Sequence, residues 1–360
     1  MSIFEKRRKK LMEIMEQKGI CAAVFTPSTD YRYLTGSARQ PAQRITALIL
    51  TQDHQRLLLP GFEAGNEKAL AKELELVPYS DLEDAAQLTA GLLPTKGCAA
   101  AGREMRAGFL LALLKLTGGL HWCDADTLMT PVRRRKDPEE IRIIEEAQHM
   151  AEQALWKLIQ EPLAGRTERE TASKLMELRL AEGFDAVGAG IVASGPNTAL
   201  PHHINGDRII TRGDILMFDI GGTYKGYHAD LTRTFAVGAV PDGFSEIYSI
   251  VLKAHMAGKE AAQAGIPAAQ ADQKAREVIE NAGYGPFFTH RLGHGIGLDV
   301  HEEPFITSTS QLPLETGNVF SCEPGVYLPG RFGVRIEDLL VMEETGARSL
   351  NRLSKELLVI

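Results

Sequence analysis

The side chains of this sequence that are best able to do chemistry are two pairs of acidic residues. The members of each pair lie on opposite sides of a predicted turn. Strand-like apolar runs flank Asp219 and Asp230, and a Gly-bearing break near 224–226 predicts a hairpin between them. A two-residue loop of Tyr224 and Lys225 sets the two aspartates directly opposite each other, where like charges repel and weaken the hairpin. The pattern therefore predicts that a positive group lies between these carboxylates.

A second acidic pair, Glu323 and Glu337, is equidistant from Gly330 in a second predicted hairpin. Buried carboxylates without partners are destabilising by several kcal/mol each, or else take up protons. Only two arginines lie between these glutamates, whereas two divalent cations would balance all four carboxylates. A glycine-flanked histidine, His294, lies between the two pairs and can approach such a cluster closely. These residues predict a metal centre.

Length and composition are typical of a globular protein of two domains. The 360 residues are 44% hydrophobic and 24% charged, and a domain usually has about 100–200 residues. With 40 basic against 47 acidic residues and a net charge of −7, the chain has no basic footprint for nucleic acid, so small molecules or peptides are the expected partners.

The expected compartment is the cytoplasm, without membrane association. No run of about 18 apolar residues predicts a membrane span, and the amino-terminal residues lack the apolar core of a signal peptide. The four cysteines form no Cys-x-x-Cys pair, so neither a disulfide framework nor a zinc ribbon is indicated.

Alternating helical and strand patterns predict an α/β domain over residues 1–130. The predicted helices are 3–18, 64–74, 82–92 and 105–116, and the predicted strands are 21–25, 47–50, 56–59, 76–78, 97–101 and 122–125. The charged segment 133–137 follows, with Asp137 as a helix N-cap before Pro138. We therefore place the domain boundary near residue 131.

Residues 131–360 combine long helices with strands. The predicted helices are 139–159, 167–181, 244–264 and 269–281, and the predicted strands are 190–193, 215–220, 231–237, 319–322, 334–342 and 356–360. A capping box of Thr167 and Glu170 opens the second helix. Helices and hairpins come twice in similar order, which predicts an α+β domain of two related halves, mostly antiparallel sheet with helices on one face.

Six motifs in this order resemble the pita-bread metallopeptidases, which include Xaa-Pro dipeptidase (prolidase), aminopeptidase P and methionine aminopeptidase. The motifs are Pro201-His202, Phe218-Asp219 to Ala229-Asp230, Gly293-His294-Gly295, Val300-His301-Glu302, Glu323-Pro324-Gly325 and Val334-Arg335-Ile336-Glu337-Asp338. The segment from Pro27 to Gly36 is similar to an amino-terminal domain that prolidases, aminopeptidase P and creatinase share and that methionine aminopeptidases lack. The resemblance therefore covers nearly the whole chain.

The resemblance implies a dinuclear metal centre. Its five ligands are Asp219, Asp230, His294, Glu323 and Glu337, with Asp230 and Glu337 in the bridging places. Oxygen-rich ligation with one imidazole suits Mn²⁺, with Co²⁺, Fe²⁺ and Zn²⁺ as alternatives. The implied reaction is hydrolysis of a peptide bond by a water that two metal ions activate.

The resemblance also implies roles for the residues around the metal ions. Glu323 is the expected general base and then general acid. His301 and His202 are expected to hydrogen-bond the oxyanion or the substrate carbonyl, and His290 is expected to contact substrate. Arg335 is expected to orient a ligating carboxylate by a bidentate hydrogen bond. A lone histidine is more often structural than catalytic, so these expectations rest on the six motifs together.

Short proline-containing peptides are the expected substrates. Proline has no N–H and its ring fixes the backbone, so Xaa-Pro bonds need a pocket shaped for them. A dipeptidase also holds a free carboxylate, for which an arginine fork is suited, and related dipeptidases often place that arginine shortly after the counterpart of His301. In this chain Phe305 occupies that position, and no Lys or Arg occurs over 302–330. Arg331 is therefore predicted to bind the carboxylate instead.

Prolidase-type Xaa-Pro dipeptidase activity is therefore the first prediction, and aminopeptidase P-type action on longer peptides is the second. Creatinase-like amidinohydrolases share the architecture but work without these metal ions, and non-catalytic binding modules of this fold have lost ligands. The five intact ligands disfavour both. A homodimer is also expected, because the amino-terminal domain of relatives packs near the partner's active site.

Overall fold

The computed structural model describes all 360 residues, and the chain divides into two compact units, Met1–Arg133 and Arg134–Ile360. The amino-terminal unit alternates helices with strands. Its elements are α1 (Ile3–Gln17), β1 (Ile20–Phe25), α2 (Thr29–Thr35), β2 (Ala47–Thr51), β3 (Gln55–Pro60), β4 (Glu75–Tyr79), α3 (Ala85–Gly91), β5 (Gly97–Ala101), α4 (Ala107–Leu116), β6 (Leu120–Asp124) and α5 (Asp126–Arg133).

The six strands of this unit form one mixed sheet in the order β4-β3-β2-β1-β5-β6. Strand β2 pairs antiparallel with both β1 and β3, whereas β5 pairs parallel with both β1 and β6. The apolar side chains of Val24, Ile49 and Leu58 are buried, so the central strands carry the core of the unit. The α/β organisation predicted for this part of the chain is confirmed.

One predicted helix of the amino-terminal unit, 64–74, is wrong. Two 3₁₀ turns, Gly61–Asn66 and Leu70–Lys72, take its place. Gly65 and Asn66 lie inside the predicted helix, and both residue types lower helix stability. The sequence patterns also missed α2 and α5, which are short helices of seven and eight residues.

The carboxyl-terminal unit contains four long helices and ten strands. Its elements are α6 (Pro138–Leu158), α7 (Glu168–Glu182), β7 (Ile191–Ser194), β8 (Ile215–Tyr224), β9 (Tyr227–Ala236), α8 (Phe244–Ala261), α9 (Ala268–Asn281), β10 (Gly293–Gly295), β11 (Glu302–Ile306), β12 (Val319–Cys322), β13 (Gly325–Leu328), β14 (Phe332–Arg335), β15 (Asp338–Glu343) and β16 (Gly346–Ser349). None of the helices in the chain combines the length and the apolar character that crossing a membrane requires.

These strands form three sheets, with orders β7-β8-β9, β13-β14 and β11-β10-β12-β15-β16. One buried core joins α6 and α7 to the first sheet and includes Leu155 and Phe218. A second core joins α8 and α9 to the other two sheets and includes Val251 and Phe320. A helix pair on antiparallel strands thus occurs twice, and the predicted α+β domain of two related halves is confirmed.

The long helices of the first half begin where the sequence predicts. Asp137 caps α6, since its Oδ1 accepts from the backbone N–H groups of Glu139 and Glu140, and the carboxylate of Glu140 accepts from the N–H of Asp137. Thr167 and Glu170 form the same reciprocal pair at the start of α7. Both capping boxes satisfy amide groups that have no partner inside the helix.

The hairpin of β8 and β9 has a different register from the predicted one. Its two-residue loop is Lys225-Gly226, and both residues have positive φ angles, 51° and 89°. This is the backbone of a type I′ turn, which glycine adopts without steric penalty. Asp219 therefore pairs with Thr232, and the prediction that it lies directly opposite Asp230 is wrong. The two aspartates are instead diagonal neighbours on one face of the hairpin.

The second predicted hairpin has the register expected about Gly330. Strands β13 and β14 pair in a ladder that begins at Gly325 and Arg335. Glu323 and Glu337 lie two residues beyond that pair, at the open end of the hairpin. The second pair of acidic residues is therefore brought together as predicted.

The predicted strand 334–342 is two strands in the structure. The chain leaves the two-stranded hairpin after Arg335 and joins the five-stranded sheet at Asp338, so that Glu337 lies in the break between β14 and β15. A residue in such a break is free of the ladder hydrogen bonds on either side. Glu337 can therefore turn its side chain toward a third element, β9.

The carboxyl-terminal tail, 356–360, is not the strand that its apolar residues predicted. It meets β9 only at Ala236, the last residue of that strand, where Val359 forms a single β-bridge. Only this one residue pair has bridge geometry, so the tail does not form a strand. The tail is therefore held by a few backbone hydrogen bonds, including one from the N–H of Ile360 to the carbonyl of Ala236.

A buried ion pair connects the two halves of the carboxyl-terminal unit. Arg233 on β9 donates to Asp338 on β15 at 2.7 Å, and neither side chain is more than 1% exposed. The same guanidinium donates to the carbonyl oxygens of Thr232, Glu337, Leu353 and Ser354. Burial favours a higher pKa for Asp338, but the neighbouring positive charges, Arg233 foremost, hold this pKa below its usual value.

Replacing Arg233 by methionine removes the donor to Asp338 and to four carbonyl oxygens. We expect the free energy of unfolding to fall by about 3–5 kcal/mol, because the groups left behind remain buried. Chemical denaturation of chelator-treated protein measures the change. Arg142→Met is the matched control, since Arg142 on α6 is half exposed and its solvent-screened ion pairs should contribute little to stability. Equal losses in the two variants contradict the prediction.

Candidate metal centre

Several elements bring the predicted ligands together in the carboxyl-terminal unit. Asp230 comes from β9, His294 from β10 and Glu337 from the break after β14, and one ligand atom of each lies within 4.8 Å of the others. Glu323 follows β12 and places Oε1 3.3 Å from Nε2 of His294, while Oδ2 of Asp230 lies 3.7 Å from the same nitrogen. Three of the four predicted acidic ligands therefore gather around the imidazole of His294.

The fifth predicted ligand, Asp219, reaches the cluster from β8. It is the diagonal neighbour of Asp230, and its Oδ2 accepts a hydrogen bond from Arg335. After burial, the negative charge of Asp219 is one of the causes that raise the pKa values of Asp230, Glu323 and Glu337. All five side chains therefore face a common region.

The imidazole of His294 presents an unprotonated nitrogen to these carboxylates. Nδ1 lies 3.1 Å from the carbonyl oxygen of Gly295, so Nδ1 carries the proton and donates it. Burial lowers the pKa of His294 to about 3, which keeps the ring neutral at pH 7. The lone pair of Nε2 is left free, which is the form in which histidine binds a metal ion.

Acceptor atoms therefore face each other without a donor between them. Burial, reinforced by the neighbouring carboxylates, raises the pKa values of Asp230 and Glu337 well above their usual range, and burial raises the pKa of Glu323 to about 7. Arg335 supplies one positive charge, on Asp219, against four carboxylates. Oxygen ligands with one imidazole suit divalent cations, so the residues present fit such a group.

Arg335 is engaged on every side by protein groups. Its Nη2 donates to Asp219, its Nη1 donates to the hydroxyl of Tyr327 at 2.8 Å and to the carbonyl of Pro201 at 3.3 Å, and its Nε donates to Oγ1 of Thr232 at 3.1 Å. The side chain is only 3% exposed. Arg335 orients a carboxylate as predicted, but through one nitrogen instead of two, because the other donors hold different groups.

Gln148, which no sequence motif indicated, fixes the backbone of Asp230. Its side-chain nitrogen donates to the carbonyl of Asp230, and its side-chain oxygen accepts from the N–H of Asp230 at 3.1 Å. Gln148 is fully buried on α6, four residues after the buried Ile144. A polar residue in the apolar stripe of a helix is the signal that indicates such a role.

Two hydroxyl residues that hold ligands were also missed. Thr232 donates to Oε2 of Glu337 at 2.7 Å, and Ser321 donates to Oε1 of Glu323 at 3.0 Å. Ser321 also accepts from the backbone N–H of His294 at 3.0 Å. Thr232 and Ser321 each lie two residues from a predicted ligand, so strand periodicity was the available signal.

His290 lies at one side of the cluster with both ring nitrogens engaged. Nδ1 donates to the carbonyl of Arg291 at 2.8 Å, and Nε2 accepts from the hydroxyl of Tyr327 at 2.8 Å. That hydroxyl in turn accepts from Arg335. Burial lowers the pKa of His290 to about 4, so the ring stays neutral. A substrate could therefore contact the ring of His290 only by packing against it, because neither ring nitrogen is free to form a hydrogen bond with the substrate.

His202 is exposed on a loop that follows the 3₁₀ turn Gly195–Ala199. The buried carboxylate of Glu168 anchors this loop. Its donors are the backbone and hydroxyl of Ser194, the amide of Asn197, the ring of His203 and the backbone of Gly206. Since Arg335 donates to the carbonyl of Pro201, the residue before His202 is tied to the cluster.

His301 lies against His294 at the exposed edge of the cluster. The ring centres are 4.2 Å apart and the planes are nearly perpendicular, at 86°. A buried ion pair of 2.6 Å between Lys136 and Glu302 fixes the residue that follows His301. Burial and then the positive charge of Arg291 lower the pKa of His301. A neutral, exposed imidazole beside the ligands is available to a substrate.

Arg331, the predicted carboxylate-binding substitute, lies away from the cluster. It occupies the closed end of the β13–β14 hairpin, with Nη2 3.5 Å from the carbonyl of Asp242 and the guanidinium 5.3 Å from the ring centre of Phe332. Glu323 and Glu337 lie beyond the opposite end of a ladder of four residue pairs. The prediction for Arg331 is therefore wrong, because the hairpin carries it away from the site.

Fold and site together define a two-domain metallopeptidase, with an α/β amino-terminal domain before a pita-bread domain that gathers carboxylates around a histidine. Residues 7–135 match the family model described as Creatinase/Prolidase N-terminal domain, and residues 142–344 match that of Metallopeptidase family M24. The chain belongs to metallopeptidase family M24. Membership implies divalent metal ions and confirms the predicted family and peptidase class.

The chain is similar to named dipeptidases over nearly its whole length. It is 38% identical over 348 residues to the probable dipeptidase PepE of Mycobacterium bovis, covering 95% of this chain and 92% of that protein. It is 34% identical over 365 residues to the Xaa-Pro dipeptidase of Pyrococcus horikoshii, covering 99% and 100%. The crystal structure of dipeptidase PepE from Mycobacterium ulcerans matches it with a TM-score of 0.94 at 37% identity, covering 99% and 98%.

The raised pKa of Glu323 predicts a pH dependence of stability in the metal-free protein. The pKa rises from 4.5 to about 7 on folding, so the native state binds the proton more tightly, and stability is lost as pH rises through about 7. Chelator-treated wild-type protein should therefore melt at a higher temperature at pH 6 than at pH 8, relative to Glu323→Gln, which lacks this titrating group.

Thermal unfolding followed by circular dichroism at pH 6, 7 and 8 and constant ionic strength measures the difference. Glu246→Gln is the matched control, because Glu246 is exposed on α8 and should leave the wild-type pH dependence intact. The same pH dependence in all three proteins would show that the proton on Glu323 does not contribute to stability.

Proposed function

We propose that this chain is a metal-dependent Xaa-Pro peptidase of the prolidase type, which hydrolyses the bond before proline in a dipeptide. The observation that carries the proposal is the gathering of Asp230, Glu323 and Glu337 around the neutral imidazole of His294, whose unprotonated Nε2 lies 3.3 Å from Glu323 and 3.7 Å from Asp230. Full-length similarity to an Xaa-Pro dipeptidase supports the substrate class.

Removal of an amino-terminal residue before proline from longer peptides, the aminopeptidase P type of reaction, is the second candidate. Phe305 favours it, because related dipeptidases often have an arginine at this place. Both candidates use the same bond chemistry. They differ in what lies on the carboxyl side of the proline.

The five side chains Asp219, Asp230, His294, Glu323 and Glu337 would hold two divalent metal ions, with Mn²⁺ first and Co²⁺, Fe²⁺ or Zn²⁺ as alternatives. Such ions, when bound, lower the pKa of a shared water and polarise the scissile carbonyl. The protein keeps His294 neutral and positions each acidic residue with a hydrogen bond from a neighbouring side chain.

Glu323 is the group that holds and moves the proton. A carboxylate beside the attacking water can accept its proton and return it to the leaving imide nitrogen. Ser321 donates to Oε1 and fixes the carboxylate. Oε2 accepts no protein hydrogen bond and is left to exchange the proton.

His301 and His202 act on the substrate oxygen. Both are exposed, and an imidazole N–H donates to a carbonyl oxygen more strongly as negative charge develops on that oxygen. The loop of His202 is anchored at Glu168 and at Arg335, and the turn of His301 is anchored by Lys136. These anchors keep both donors in place before substrate arrives.

The substrate test compares one bond in two contexts. Protein loaded with Mn²⁺ should hydrolyse Ala-Pro with kcat/KM about tenfold higher than Ala-Pro-Ala, because only the dipeptide has a carboxylate directly after proline. It should act weakly on Ala-Ala. Preference for the tripeptide would replace the prolidase type by the aminopeptidase P type, and hydrolysis of neither would overturn the proposed function.

Metal content, measured by mass spectrometry in the same samples, should be about two ions per chain. Glu337→Gln should lower metal content and activity together. The exposed Glu246→Gln is the control that should change neither. A chain that binds no metal, or binds metal without hydrolysing any Xaa-Pro bond, would fit the creatinase-like or binding-module alternatives instead.

We also propose a homodimer, on the basis of the amino-terminal domain shared with prolidases and creatinase. Light scattering of the purified protein should give about twice the chain mass of 39.4 kDa. Dilution should not change this mass across the micromolar range. A mass of one chain contradicts the proposal.

A further inference from the structure

Arg291 lies beside the acidic cluster, and no protein group accepts a hydrogen bond from its guanidinium. The guanidinium carbon is 4.6 Å from the ring centre of Phe305, and neither an ion pair nor a side-chain hydrogen bond holds it. Arg335, the other arginine of the site, donates to four protein groups. A half-buried guanidinium has five N–H donors, so Arg291 retains the capacity to bind an anion.

The strand pairing puts this guanidinium on the ligand side of the sheet. Phe305 on β11 pairs with His294 on β10, so the two side chains project from the same face. His301 contacts His294 on that face. After burial, the positive charge of Arg291 is among the causes that lower the pKa values of His294 and His301, which agrees with a position beside both rings.

Two residues of α9 hold the backbone on either side of Arg291. Asp272 accepts from the N–H of Leu292 at 2.8 Å, and Arg276 donates to the carbonyl of His290 at 2.9 Å. Asp272 and Arg276 also pair with each other. The backbone of Arg291 is therefore fixed, while its side chain rests on an aromatic face, which reduces the entropy lost on binding.

We propose that Arg291, held against Phe305, binds the free C-terminal carboxylate of a dipeptide substrate. The inference rests on the proposed peptidase function and names its substrate class. A substrate carboxylate that enters a site with four acidic residues needs a positively charged side chain that does not already form an ion pair with one of them. Arg335 is occupied by Asp219, and Arg331 lies at the far end of its hairpin.

This contact would discriminate dipeptides from longer peptides. In a dipeptide the carboxylate lies one residue after the scissile bond, whereas a longer peptide has a neutral amide there. A guanidinium binds a carboxylate through two parallel hydrogen bonds, which a neutral amide does not offer. With Arg291 stacked on Phe305, a preference for dipeptides does not require an arginine at position 305.

The test uses Ala-Pro and its C-terminal amide, which contain the same scissile bond and differ only in the carboxylate. Wild-type protein loaded with Mn²⁺ should prefer the acid. Arg291→Met should raise KM for the acid about ten- to hundredfold with little change in kcat, and should leave the amide within about threefold. Arg291→Lys keeps the charge without the fork, so its loss should be intermediate.

Arg331→Met is the matched control, because Arg331 also stacks on a phenylalanine but lies outside the site. It should change neither substrate. Equal losses on acid and amide in Arg291→Met, no loss in Arg291→Met, or the same loss in Arg331→Met would each overturn the proposal. Calorimetric binding of proline and prolinamide to the same proteins gives a readout that is independent of turnover.

Failure of this inference is distinguishable from failure of the proposed function. Wild-type protein that hydrolyses both substrates with equal kcat/KM is an Xaa-Pro peptidase without a carboxylate clamp, so only the inference is overturned. Wild-type protein that carries metal but hydrolyses neither substrate overturns the function, and the inference with it.

Discussion

Repulsion among four carboxylates around one neutral imidazole is the constraint on which the carboxyl-terminal unit depends. Burial raises the pKa values of Asp230, Glu323 and Glu337, and neighbouring negative charges raise them further. The fold opposes this repulsion because a neighbouring side chain forms a hydrogen bond with each acidic residue. The holding groups are Arg335 for Asp219, Gln148 for the backbone of Asp230, Ser321 for Glu323 and Thr232 for Glu337. Each of them leaves oxygen atoms free on the side where cations would bind.

Close packing around His294 explains why glycines flank it. A Cβ atom at Gly293 would lie 1.9 Å from the carbonyl oxygen of Ser321, and one at Gly295 would lie 2.4 Å from the backbone of Glu303. Both obstacles are backbone atoms of neighbouring strands, which cannot move aside without breaking the sheet. Glycine is therefore required on both sides, and the imidazole is fixed between β11 and β12.

The difference between the two hairpins shows what sequence alone could predict. Gly330 has a φ of 73° and stands alone at the centre of its turn, so the register of Glu323 and Glu337 followed from symmetry. In the first hairpin the φ of 51° at Lys225 has no sequence signal, and the predicted loop was shifted by one residue. That shift changes which residues are opposite each other but keeps their faces, so the predicted cluster survived a wrong register.

Contacts between distant segments set the limit of prediction. The motifs identified all the acidic residues and histidines that gather at the site, because their types and order resemble a known pattern. Gln148 and Asp230 are 82 positions apart, and nothing in the local sequence of either residue indicates the other. The engagement of Arg335 and the freedom of Arg291 are likewise properties of the assembled side chains. The structure, not the motifs, distinguishes an arginine that orients a ligand from one that is available to a substrate.

The position of the site between the two halves of its domain links metal binding to folding. Asp219 and Asp230 belong to the β8–β9 hairpin, whereas His294, Glu323 and Glu337 belong to the second half. The buried pair of Arg233 and Asp338 joins the same two halves immediately behind Glu337. Divalent ions held between the halves would replace repulsion by attraction across that boundary, so their binding free energy would add directly to the free energy of unfolding. The arrangement that makes the metal-free site unfavourable is therefore the same one that makes it a strong site for cations.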